Sequence, residues 1–260
     1  MTEEAELIAT TDGRVPGRRG RATRQRLLAC TAELLLATPW RSIKVIDIAR
    51  QAGTSPATYS QYFENVEAAI TVLAEELVEG AVDVAGAVDG DWSEEASWDT
   101  ALTVTEGFLG YWEDNRAVFR VVDLATEEGE GQLRGIRVRA LNAVTVALAQ
   151  VIATASPSPE GGPAGATCSP AGNDPMAVAG TLVAMFASVS AHRYGFEFWG
   201  IRTRNLIDTQ ARTLHWAVTG RQAPPGDLPS RESTRPRTGP VLGGATARRR
   251  GSTTISGRPD

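Results

Sequence analysis

The chain has 260 residues, enough for one large or two small cores, and its 42% hydrophobic and 22% charged composition with a net charge of −5 fits a soluble globular protein. Its two cysteines, Cys30 and Cys168, are too few for a disulfide framework, and His192 and His215 lack the neighbouring donors of a metal site, so neither metal nor cofactor is expected. The longest apolar run, Val178 to Ala191, is broken by Thr181, Ser188 and Ser190, and the acidic N-terminus (Glu3, Glu4, Glu6) carries no secretion signal; a reduced, cytoplasmic protein without a membrane partner is the expectation.

In chain order, residues 1 to 20 read as a disordered basic arm, polar and without periodicity. A first helix is predicted from Ala22 to Ala37 on the helical spacing of Leu27, Leu28, Thr31, Leu34 and Leu35, and Pro39 ends it. Val45 to Ala52 reads as a second helix and Gly53 as a turn. Ser55 then caps a third helix with Pro56 at its first position. Asn65 caps a fourth, running to Val88. After a linker at Gly90, Asp91 and Trp92, helices are predicted at Ser97–Glu113, Arg116–Thr126, Gln132–Ala155, Pro175–Trp199 and Arg204–Thr219. A flexible Pro/Gly-rich loop fills 156–174, and a tail without packed structure runs from Arg221 to the end. The fold class is all-α: a three-helix helix-turn-helix unit over 21–81 and a second helical block over 92–220.

Charge is segregated along this layout. Arg14, Arg18, Arg19, Arg21, Arg24 and Arg26 occur with no acidic residue between Gly13 and Ala32, whereas no Lys or Arg lies between Gln51 and Asn115. Local rather than net charge governs nucleic-acid affinity, so the positive end marks a DNA-binding face. The unit from Lys44 to Phe63 has the dimensions that place a second helix in the major groove. At 100° per residue, Pro56, Ala57, Ser60 and Gln61 share one face of helix three, Tyr59 and Phe63 the opposite one, and Thr58 and Tyr62 a flank. Gln61 can bond two edges of an adenine, Ser60 several bases, and Ala57 a thymine methyl. Thr58, Tyr62 and Lys44 are expected at phosphates, and Ser55, Arg21 and Arg24 complete the expected DNA-binding set, with the arm ahead of them reaching toward a neighbouring groove.

The segment IKVIDIARQAGTSPATYSQYF followed by ENVEAAI resembles the helix-turn-helix signature of the tetracycline-repressor family. Val45, Ile48, Ala49, Ala52, Gly53, Ser55, Thr58, Tyr62, Phe63 and Glu67 match its pattern, and the likeness extends from about Arg21 to Val78. Three positions depart. Lys44 stands for the usual Thr, Ser60 for a recognition-helix Tyr, and Val66, flanked by Glu64 and Glu67, for the Lys that opens helix four. The last two remove an aromatic contact and a phosphate partner, which implies weaker binding or heavier use of the arm.

The resemblance implies that the second block serves as effector pocket and dimer interface. The Pro175–Trp199 helix is apolar on nearly all sides, as a helix buried on two faces must be. With the Arg204–Thr219 helix it is expected to form an isologous four-helix interface through Leu182, Phe196, Leu206, Leu214 and Val218. Pocket candidates are Phe108, Tyr111, Trp112, Phe119, Met185, Phe186 and Val189, with Asn142, His192 and Arg193 as polar anchors for a small, mostly apolar effector. No phosphate-cradling glycine loop, G-x-S-x-G elbow or nucleophile–base pair points to an enzyme. The expected protein is a homodimeric, cytoplasmic DNA-binding transcriptional regulator, a repressor on a palindromic operator released by its effector. The alternative is a helical small-molecule-binding or interaction protein with a degenerate DNA-binding domain.

Overall fold

In the computed structural model the described residues are 10, 11, 13, 15–155 and 174–224. Arg14, the loop with Cys168 and the tail with Arg248, Arg249 and Arg250 lie outside them. Helices are α1 (Arg18–Ala37), α2 (Val45–Gln51), α3 (Pro56–Tyr59), α4 (Val66–Val88), α5 (Ser97–Asp114), α6 (Arg116–Glu127), α7 (Gly131–Ala155), α8 (Pro175–Ala191), α9 (Arg193–Phe198) and α10 (Thr203–Thr219), with a 3₁₀ turn at Trp40–Ser42. No strand occurs among the described residues, so the expected all-α class stands.

Two elements differ from the sequence expectation. Helix α1 begins at Arg18, so Arg18, Arg19 and Arg21 belong to a helix rather than to a free arm. Arginine is a good helix former, and the one weak residue, Gly20, lies where a Cβ would come within 2.7 Å of Pro16 Cβ. The predicted Pro175–Trp199 helix breaks at His192, which ends α8 with its N–H on the Ser188 carbonyl at 3.1 Å and its ring Nδ1 3.0 Å from the same oxygen. A side chain that competes for the last carbonyls terminates a helix that apolar content alone would extend.

The caps are where the side-chain chemistry demands them. Thr38 N–H closes α1 on the Leu34 carbonyl immediately before Pro39. Gly53 takes φ +65°, a left-handed turn that suits glycine. The Ser55 hydroxyl accepts the Thr58 N–H at 3.1 Å, and the Asn65 side chain accepts the Ala68 N–H at 2.8 Å.

One contiguous core runs through both halves of the chain, from Leu27 and Leu28 on α1, through Ile48, Tyr59 and Ile70, to Leu148, Phe186 and Leu214. Helix α4 is its axis. It packs on α1 near its start, most extensively on α7, and also on α5 and α6. Helix α7 is the one helix among the described residues long and apolar enough to cross a membrane. Here it lies between α4 and α8.

The C-terminal end of α10 is clasped to the start of α5 by buried polar groups. His215 Nδ1 lies 3.2 Å from the Arg221 carbonyl and its Nε2 3.1 Å from Ser97 Oγ. A carbonyl can only accept, so Nδ1 carries the proton and the Ser97 hydroxyl donates to Nε2. Burial lowers the His215 pKa, and the nearby Arg221 and Arg212 charges act in the same direction against the hydrogen bond to the Arg221 carbonyl. The folded state therefore favours neutral His215. Its contribution is complete above the ordinary histidine range of about 6.5 and is lost as the pH falls through the lower folded value. Thermal unfolding followed by circular dichroism should show the midpoint falling below about pH 6.5; in His215→Gln that part of the pH dependence should disappear.

Candidate DNA interface and effector cleft

The outward face of the helix-turn-helix unit is set by what it buries. Tyr59 is fully buried and Phe63 nearly so, their rings 5.5 Å apart, and the Tyr59 hydroxyl donates to the Asn65 carbonyl at 3.0 Å. Burial and the Glu67 charge raise the Tyr59 pKa well above its ordinary value, so the phenol stays a donor. With those rings inside, Ser55, Pro56, Ala57, Ser60 and Gln61 are exposed, and Thr58 and Tyr62 are half-buried on the flank. Helix α3 proper is one turn; the Gln61 and Tyr62 amides continue it with bonds three residues back. Lys44 caps α2 in extended backbone, exposed, with its N–H on the Asp47 carboxylate at 3.3 Å.

Two expected contacts change meaning. Arg24 is only 8% exposed, with its guanidinium carbon 5.1 Å from the centre of the Phe63 ring. Burial lowers its pKa and the Glu76 charge opposes this. It therefore braces α1 against the end of the recognition unit, with its guanidinium turned to the Phe63 ring. Arg18, Arg19, Arg21 and Arg26 are the α1 cations that face outward. Val66 is 7% exposed and belongs to the core, so nothing at that position replaces the lysine of the family pattern.

Thr11 is a residue that no sequence pattern marks. Its N–H donates to the Gln61 carbonyl at 3.0 Å, and its hydroxyl lies 3.0 Å from the Ser60 carbonyl and 3.2 Å from that of Gln61. The chain ahead of α1 thus folds back onto the end of the recognition helix and occupies carbonyls left open there.

In the second block the aromatic side chains proposed as pocket walls form core instead. Trp112 stacks on Phe119 with centroids 3.9 Å apart, Phe108 lies 6.1 Å from Trp112 and 5.4 Å from Phe186, and Tyr111 meets Phe119 edge-on at 5.4 Å. The Tyr111 hydroxyl donates to the Leu77 carbonyl at 2.6 Å, tying α5 to α4, and burial raises its pKa. Phe108, Phe119 and Phe186 are fully buried, and Met185 and Val189 are half-buried. Large aromatics gain more from one another than from an open cavity.

The cavity lies one layer out. A half-open cleft of about 1040 Å³ runs between α6, α7 and α8–α9, with Trp112 at its floor and Asn142, His192 and Arg193 on its walls. Those four are the sequence candidates that reach it. Its walls also carry Glu113, Arg116, Arg120, Asp123, Glu127, Arg137 and Glu197 beside Leu124, Val138, Leu141 and Val183. The lining mixes charged and apolar side chains.

Four of the five proposed interface residues pack inside the chain. Leu182, Leu206, Leu214 and Val218 are buried within their own chain, and Phe196 is half-buried. Outside the cleft, the exposed residues of α8 and α10 include Met176, Ala177 and Thr181 on the first and Thr209 and Trp216 on the second. No cluster of three or more metal-ligating side chains occurs among the described residues.

The described residues thus form a small helix-turn-helix head, a motif that places its second helix in the major groove of DNA, on a larger helical block. The family model described as "Tetracyclin repressor-like, C-terminal domain" matches residues 84–225, and the chain belongs to the tetracycline-repressor-like family of transcriptional regulators. No curated protein matches it. Among solved structures it resembles the fatty acid degradation regulator FadR from Bacillus halodurans, with TM-score 0.54 and 11% identity over 79% of this chain and 97% of that one. It also resembles a putative TetR-family transcriptional regulator from Rhodococcus sp., with TM-score 0.51 and 18% identity over 76% of this chain and 99% of that one. These likenesses concern the fold.

The placement of Arg24 has a direct consequence. Arg24→Ala should lower stability in denaturant unfolding by about 1–2 kcal/mol, through the lost ring contact and stem packing. It should leave the base preference of the protein unchanged.

Proposed function

We propose that the chain is a homodimeric, sequence-specific DNA-binding regulator, a repressor whose recognition element spans Ser55 to Tyr62 and whose release is governed by a small molecule in the cleft of the second block. The observation that carries this reading is the division of labour on one short segment. Tyr59 and Phe63 are locked inside, while Pro56, Ala57, Ser60 and Gln61 face outward beside exposed Lys44 and the arginines of α1. Small and polar groups on a rigidly anchored helix can approach base edges, and surrounding cations supply the phosphate attraction. The amphipathic cleft, at the upper end of ligand-pocket sizes, supports the effector role.

A dimer through the outward faces of α8 and α10 would pair two heads on a palindromic site. The small side chains of α8 permit close helix approach, and Trp216, 45% exposed, offers a hydrophobic anchor. The second reading, a helical binding protein whose DNA contacts have decayed, draws on buried Val66 and its neighbours Glu64 and Glu67.

Selection of full-length protein on a random duplex pool at about 0.1 M salt separates the two, since specific contacts persist where charge attraction is screened. Recovery of a palindrome supports the first reading; a folded protein that enriches no site leaves the second. On a recovered operator, Gln61→Ala should relax preference at one base pair per half-site, by about 1–3 kcal/mol. Thr181→Arg should shift sedimentation from dimer to monomer with helicity unchanged.

A further inference from the structure

Helix α6 presents two arginines, Arg116 and Arg120, four residues apart on the wall of the cleft. The other two cleft arginines are committed: Arg137 pairs with Asp123 at 2.6 Å, and Arg193 with Glu113 at 2.9 Å and Glu197 at 3.2 Å. Arg116 has no ion-pair partner among the described residues, and Arg120 donates to a neutral group, the Leu35 carbonyl of α1. Like charges at this spacing disfavour one another, so the pair is preset for a shared anion. The carboxylate of Glu127 also lies on the wall, but two helical turns beyond Arg120. Beside this cationic pair the cleft exposes apolar surface on Leu124 and on Val138, which is 61% exposed.

We propose that the cleft binds an anionic amphiphile, a carboxylate or phosphate head on an apolar tail, and that Arg120 transmits its arrival by exchanging the Leu35 carbonyl for the anion. This rests on the reading of the cleft as the effector site. Leu35 lies in the last turn of α1, where carbonyls have no partner within the helix. A guanidinium there satisfies one of them and opposes the negative end of the helix dipole. An anion adds Coulomb attraction and a two-oxygen acceptor that matches the guanidinium fork, neither of which a neutral carbonyl supplies, so a ligand head beside Arg116 draws Arg120 away. The end of α1 then loses its cap, immediately before Arg41, which is held to Glu128 at the far end of α6 with Nη1 to Oε1 at 2.9 Å. Both ties join the wall of the cleft to the segment that leads into the recognition unit. The ligand binds the two states differently because Arg120 is available in only one of them.

The full chain should be titrated calorimetrically with decanoate, decyl phosphate and decanol below their micellar range, with backbone hydrogen exchange followed over residues 35–43. At least one of the anions should bind ten times more tightly than decanol or better, and the tighter of the two identifies the head group. Arg116→Gln and Arg120→Gln should each remove most of that advantage while retaining wild-type helicity. Binding should raise exchange over 35–43 in the wild type. In Arg120→Gln exchange there should already be raised and should no longer respond, and Arg120→Lys should restore part of the protection. Equal binding of decanol and the anions would overturn the anionic assignment while leaving the cleft an effector site. Anion binding without a change in exchange would overturn the role of Arg120. Failure of all three compounds to bind would overturn this proposal together with the effector reading beneath it.

Discussion

Helix α4 is the constraint on which the other elements depend. At 23 residues it is about 35 Å long and buries Val66, Ile70, Leu73, Leu77, Val84 and Val88 along one side. Its first turns complete the core of the head, and the rest supports the second block through α7. Two buried phenols bracket it. Tyr59 donates to the carbonyl of its cap residue Asn65, and Tyr111 donates to the carbonyl of Leu77 in its middle. A tilt of α4 therefore disturbs both ends of the molecule, because its apolar face has no slack to absorb movement.

Around this beam the head is joined to the second block by polar ties as well as by core. Arg120 meets the end of α1, and Arg41 meets the turn after α6. The exposed Arg41–Glu128 ion pair adds little stability. The value of both ties lies in position: they connect helix α6, a wall of the cleft, to the backbone that precedes the reading unit. Stability thus resides in the α4 interface, and the proposed response in contacts weak enough to be exchanged.

Much of the helix layout was legible in the residues because local rules wrote it. Ser55, Pro56, Asn65 and Gly53 act on their own neighbours, and their capping and turn chemistry needs no tertiary partner. The burial of Tyr59 and Phe63 opposite Ala57, Ser60 and Gln61 follows from helical spacing alone. Less was legible at the candidate sites. Arg24 reads like its neighbours in an arginine-rich run, and only the Phe63 ring beneath it makes it structural. Thr11 sits in a segment with no periodicity, yet bonds to carbonyls some fifty residues away. The aromatic residues of α5, α6 and α8 share a helical face with no mark that separates a core stack from a pocket wall.

The sequence by itself determined the kind of protein: a helix-turn-helix head whose caps, turn glycine and inward aromatics are encoded within some twenty residues, followed by an all-helical block. Tertiary structure decided what each large side chain is for. It placed Leu182, Leu206, Leu214 and Val218 inside the chain, stacked Trp112 on Phe119, and opened an amphipathic cleft one layer further out. The reason is physical. Periodicity states which face of a helix is apolar, but only packing against particular neighbours settles whether that face meets its own core, a ligand or a second subunit.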